Sequence, residues 1–131
     1  MSGVDTNVLI RWLVGDDDAQ TARVEVLFET AQAEGSVFLV PCTVALEVEW
    51  VLRSRYRFAK PAVLQAFNAL LETRELDFQH EDALERALHR YCEGSADFAD
   101  CLHAGLCSTA GEAPLLTFDE RASRLPEVSL L

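Results

Sequence analysis

Five acidic residues stand at places where the pattern of the chain changes. Asp5, Glu47 and Asp119 each come within a few residues of the end of a short apolar run. Asp97 and Asp100 are three apart at the start of a helical pattern, so they share one side of its first turn. In open α/β sheets, functional groups gather beyond the carboxyl ends of the strands. Acids brought together there are electrostatically costly unless a cation offsets them. An oxygen-only set of this kind suits hard cations such as Mg²⁺ or Mn²⁺, and hydrolysis of a phosphodiester is chemistry it could support.

Each acid also has a purely structural reading. Asp5 and Asp97 are good helix N-caps. Asp100 complements a helix dipole, and Asp119 opens a turn or a short helix. Glu47 is harder to explain this way. The sequence places it in the body of a helix among apolar neighbours, where an unpaired acid is unfavourable.

The elements that must position these acids follow from local signals. Gly3-Val4 begins a short strand, and Asp5 or Thr6 caps a helix to about Leu13. The run Gly15-Asp16-Asp17-Asp18 stops it and opens the next, along which Val24, Leu27, Phe28 and Ala31 repeat. Glu34-Gly35 closes that helix. Ser36 to Val40 reads as a strand buried on both faces, ended by Pro41. Thr43 then caps a helix to about Arg53, with Val44, Val48 and Val51 inward.

Val63, Phe67, Leu70 and Leu71 mark the next helix, and Glu75 to Phe78 a weak edge strand. Leu84, Ala87, Leu88 and Tyr91 mark another helix, ended near Gly94. Phe98, Cys101, Leu102 and Gly105 form the packed face of the helix that begins at Asp97. Leu115 to Phe118 is a strand, a short helix runs to about Arg124, and Val128 to Leu131 is a last strand. This alternation predicts an α/β fold, a mostly parallel sheet of short strands flanked by helices on both faces, in a single domain over residues 1–131.

Composition bounds the reading further. Half of the 131 residues are apolar, enough for a core and against disorder. No apolar run approaches the roughly 20 residues of a spanning helix, and the opening lacks a signal-peptide pattern. A cytoplasmic protein without membrane contact is expected. Cys42, Cys92, Cys101 and Cys107 form no C-x-x-C pair and read as reduced, mostly buried small residues. A zinc site from Cys101, His103 and Cys107 has the wrong spacing for a known knuckle.

The formal net charge of −11 argues against sequence-blind nucleic-acid binding by a basic face. It suits a basic partner segment. Arg53, Arg55, Arg57 and Lys60, with Tyr56 and Phe58 between them, are the one basic cluster. They are either a solvated helix end or a contact to a phosphate backbone.

The acids in order resemble those of a known family, the PIN domains, most closely the VapC ribonuclease toxins of bacterial toxin–antitoxin pairs. Val4-Asp5-Thr6-Asn7-Val8-Leu9 is similar to the family opening, and Glu47 in Ala45-Leu46-Glu47-Val48 to its central glutamate. Ala96-Asp97-Phe98-Ala99-Asp100-Cys101-Leu102 and Leu116-Thr117-Phe118-Asp119 are similar to the last two motifs. The likeness covers essentially the whole chain. It departs at His103, where the family usually has an apolar residue, at the extra acid Glu49, and at Ser2-Gly3 in a short first strand. Haloacid-dehalogenase phosphatases also begin with a strand-end aspartate, but they need a second one two residues later, where this chain has Asn7.

The resemblance implies a Mg²⁺- or Mn²⁺-dependent endoribonuclease acting on structured RNA such as tRNA or rRNA. Asp5 and Asp100 are the foremost metal ligands it implies. Glu47, Asp97 and Asp119 complete the catalytic set, directly or through waters, and Asn7 and Thr117 orient them or the phosphate. It also implies a homodimer and a cognate VapB-like antitoxin. Two other readings stand beside it: a PIN-like module that holds RNA or a protein without cutting, and a small acidic interaction protein with no RNA role.

Overall fold

The computed structural model describes residues 2–131. Every strand pair is parallel, and the class is α/β. The chain divides into two compact units, residues 1–79 and 80–131.

In the first unit, β1 (Ser2–Gly3), β2 (Phe38–Val40) and β3 (Leu76–Phe78) form a sheet in the order β1-β2-β3. Ser2 stands opposite Phe38, and Phe38 opposite Leu76. The Val4 amide donates to the Leu39 carbonyl at 3.0 Å and carries the ladder one residue beyond β1. Parallel pairing sends the ends of β1 and β2 out on the same side. Helix α1 (Thr6–Val14) begins just past β1, and α3 (Cys42–Ser54) just past β2.

Local signals set most of the helix ends. Asp5 caps α1 by accepting from the Val8 amide, and Asp17 caps α2 (Asp18–Glu34) by accepting from the Gln20 amide. Helix α1 stops at Gly15, whose φ of 67° lies in the left-handed region that glycine enters without a Cβ clash. The α3 start differs from the sequence expectation. Its N-cap is Pro41, and Thr43 lies inside the helix. The Cys42 amide at the helix start donates to Gln79 Oε1 at 2.9 Å, so a side chain from beyond β3 takes the place of a local hydroxyl cap.

The burial pattern corrects three further expectations. Helix α3 buries Ala45, Val48, Glu49 and Leu52, with Val44 and Val51 only half-buried. That is the i, i+3, i+4, i+7 stripe of one helical face, displaced from the one expected. Leu27 on α2 is exposed, although Val24, Phe28 and Ala31 are buried as expected. Leu39 is 44% exposed between buried Phe38 and Val40, so β2 is covered at alternate residues rather than on both faces.

Helix α4 (Lys60–Leu71) adds Val63, Phe67 and Leu70 to the core, all fully buried. Each such side chain contributes about 1.5–3 kcal/mol of burial. Phe28 and Phe38 pack edge to face with ring centroids 5.9 Å apart, and Trp12 tilts onto Phe28 with centroids 4.5 Å apart.

The second unit pairs α5 (Glu81–Glu93) with α6 (Phe98–Thr109). The expected faces are the observed ones: Leu84, Ala87, Leu88 and Tyr91 on α5, with Phe98, Cys101, Leu102 and Gly105 on α6. Gly105 permits the close approach, because a Cβ there would lie 2.8 Å from the Ala83 carbonyl oxygen. A second parallel pair, β4 (Leu115–Thr117) with β5 (Val128–Leu130), is joined through a 3₁₀ turn at Ala122–Arg124. Among the described residues no helix is long and apolar enough to cross a membrane.

Candidate active site

In the first unit, Asp5 follows β1 and is exposed, as the strand–helix junction predicts. One of its oxygens accepts from the Val8 amide at 3.2 Å. Glu47 is also exposed, which corrects the expectation of an acid among apolar neighbours. The residue in that position is Glu49, only 3% exposed and paired with Arg53 at 2.8 Å. The helical phase decides this: Glu49 lies one residue past Val48 on the inward stripe, and Glu47 lies off it.

Thr6 holds Glu47. It is buried at the start of α1, and its hydroxyl donates to Glu47 Oε1. The family motif points to the neighbouring Asn7 instead. Asn7 is exposed, and no hydrogen bond ties it to an acid among the described residues. A hydroxyl inside an acid-bearing turn, at a position the helix turns inward, was the available signal.

In the second unit, Asp97 is the N-cap of α6 and Asp100 lies in its first turn, as expected. The Asp97 side chain makes no capping hydrogen bond, so the plain capping role does not occupy it. Asp119 lies just past β4. Its amide donates to Thr117 Oγ1 at 3.0 Å, and its Oδ1 accepts from the Ala122 amide at 3.0 Å. Thr117 thus orients the turn that carries Asp119, while the same carboxylate caps the 3₁₀ turn.

Partial burial raises the Asp100 carboxyl above its ordinary range, and the charges of Asp119 and Asp97 raise it further. His103 acts in the opposite direction. It is exposed one turn along α6, a rim residue rather than a core one. Three carboxylates therefore bear on one another in this unit. Their all-oxygen chemistry fits a hard divalent cation. The side chains would have to close around it, because no group of three or more His, Cys, Asp and Glu among the described residues is drawn together tightly enough to hold an ion.

A family model described as the PIN domain matches residues 4–128. The chain belongs to the PIN domain family. PIN domains are typically metal-dependent nucleases, and the matched span of this PIN domain contains all five acids. Among curated proteins no relative matches it.

The remaining candidates of this PIN domain separate by their contacts. Arg53 is engaged by Glu49, Arg55 and Arg57 are exposed, and Lys60 opens α4. All four cysteines are free, but only Cys101 is buried, and Cys92 is exposed. The expectation of mostly buried thiols is corrected there: Cys92 lies on the outer side of α5, off the stripe formed by Leu84, Leu88 and Tyr91.

Proposed function

We propose that this PIN domain is a Mg²⁺- or Mn²⁺-dependent endoribonuclease, the toxin of a VapC-type toxin–antitoxin pair, cutting structured RNA such as tRNA or rRNA. The observation that carries the reading is the match of residues 4–128 to the PIN domain, a span that holds all five acids of the family motifs, with Asp97 at the N-cap and Asp100 in the first turn of α6. Asp5 and Asp100 are the foremost ligands. Glu47, Asp97 and Asp119 add donors or hold water, Thr6 keeps Glu47 in place, and Thr117 keeps the Asp119 turn in place. The cation supplies charge neutralisation and Lewis acidity at the phosphodiester. No side chain is required as a nucleophile.

The acidic balance of −11 supports a basic partner. That partner is a VapB-like antitoxin bound to a homodimer of this chain. An antitoxin arginine takes the cation's place among the acids, because a guanidinium engages two carboxylate oxygens at once. Inhibition is then relieved by added Mg²⁺ or Mn²⁺ and not by NaCl of matched ionic strength.

The deciding experiment is incubation of the purified protein with total RNA in Mg²⁺, Mn²⁺ or EDTA, with mapping of new ends. The reading expects discrete cuts with either cation and none in EDTA. RNA bound but uncut in all three conditions would replace it with a non-cleaving PIN module.

A further inference from the structure

We infer that Arg57 is the residue of the basic α3–α4 loop that grips the phosphate backbone, and that a clasp of Asp16, Tyr56 and Arg11 positions it. This rests on the reading that the substrate is RNA.

Arg57 has φ of 57°, in the left-handed region that side-chain-bearing residues rarely adopt. Glycine would occupy it without strain. His80 and Glu127 share the conformation, but only Arg57 joins it to an exposed guanidinium. Strain of this kind persists where the surroundings over-determine it, and it gathers at binding sites.

The surroundings do over-determine it. On one side, the Tyr56 amide donates to the Val51 carbonyl at 3.3 Å. The Tyr56 hydroxyl donates to Asp16 Oδ2 at 2.7 Å, across 40 residues of sequence. Arg11 Nη1 donates to Asp16 Oδ1 at 3.2 Å, and Arg11 Nε to Gln20 Oε1 at 2.7 Å. The turn between α1 and α2 is thus tied to the basic loop. On the other side, the Phe58 amide donates to the Leu52 carbonyl at 2.9 Å, and the Phe58 ring is half-buried. Arg57 is the tip between two fixed residues.

The other cations of the cluster are placed differently. Arg53 pairs with Glu49, Lys60 opens α4 and is half-buried, and Arg55 is exposed but closes α3 in ordinary helical geometry, without the left-handed backbone that fixes Arg57. No hydrogen bond or ion pair holds the Arg57 guanidinium among the described residues. In a chain so acidic, one outward guanidinium cannot supply broad affinity. It can locate a phosphate by paired hydrogen bonds.

The test uses the full chain carrying Asp5→Asn, which is expected to bind without cutting, and bulk tRNA as the probe. Affinity is measured against NaCl concentration in Mg²⁺, beside thermal midpoints. Arg57→Gly should bind several-fold more weakly, with a salt slope smaller by about one. Its thermal midpoint should hold or rise, because the backbone strain is relieved. Tyr56→Phe should weaken binding when Arg57 is present and have no effect in the Arg57→Gly background. Unchanged affinity and slope in Arg57→Gly would overturn the assignment, as would a Tyr56→Phe effect that simply adds. If the Asp5→Asn parent binds no tRNA while folded, the RNA reading falls, and this inference with it.

Discussion

Thr6 donates its hydroxyl hydrogen to Glu47, so the first residue of α1 restrains an acid in the second turn of α3. Thr6 is 5% exposed and Glu47 is exposed, so the bond runs from the core to the surface. Thr6→Val keeps the shape and removes the donor. The freed carboxylate can turn to water, so stability should fall by no more than about 1 kcal/mol. Cleavage should fall much further, on the order of 10- to 100-fold, because the acid is no longer held. Thr6→Ser should retain most activity. Denaturant midpoints beside RNA cleavage rates check both. Equal activity in Thr6→Val would remove the positioning role.

Asp5 both caps α1 and stands among the proposed metal ligands, and one pair of variants separates the two roles. Asn is as good an N-cap as Asp, so Asp5→Asn should leave stability within about 0.5 kcal/mol while abolishing cleavage. Asp5→Ala should abolish cleavage and also cost about 1 kcal/mol. Urea denaturation and RNA end-mapping read the two effects independently. Full cleavage by Asp5→Asn would remove Asp5 from the chemistry.

Asp100 has a carboxyl raised by burial and by the charges of Asp119 and Asp97. The folded protein therefore holds that proton more tightly than the unfolded chain does. The stability this contributes is present below the unfolded pKa and is lost as pH rises through the folded one. At neutral pH without metal, the ionised group opposes folding. Asp100→Asn should then raise the thermal midpoint in EDTA by about 1–4 °C, and the gain should shrink as pH is lowered through the carboxylate range. Scanning calorimetry at several pH values in EDTA checks it. A midpoint that falls at neutral pH would show a carboxylate stabilised by partners instead.

Gly105 sets the distance between α5 and α6. Gly105→Ala places a methyl group 2.8 Å from the Ala83 carbonyl oxygen, a backbone atom that cannot rotate aside. The helices must separate, at a cost of about 1–3 kcal/mol, despite the better helix propensity of alanine. Urea unfolding should show a lower midpoint, and an unchanged midpoint would show that the helix pair can slide freely.

Much of this protein is legible in its sequence alone. Asp5 and Asp119 announce themselves because each follows a short apolar run, and Asp97 with Asp100 because three residues make most of a helical turn. Gly15, Asp17 and Gly35 mark helix ends through conformations and side-chain bonds that are strictly local. The periods of α5 and α6 were readable because their apolar stripes are unbroken. Tertiary structure decided the rest, and the reason is distance along the chain. Thr6 meets Glu47 across 41 residues, and Tyr56 meets Asp16 across 40. No local pattern encodes such a pair, because it depends on which strands pair and how helices turn upon them. The exchange between Glu47 and Glu49 shows the same limit within one helix. Both fit an amphipathic pattern containing several valines, and only packing against the sheet and its neighbours sets the phase that buries one and exposes the other.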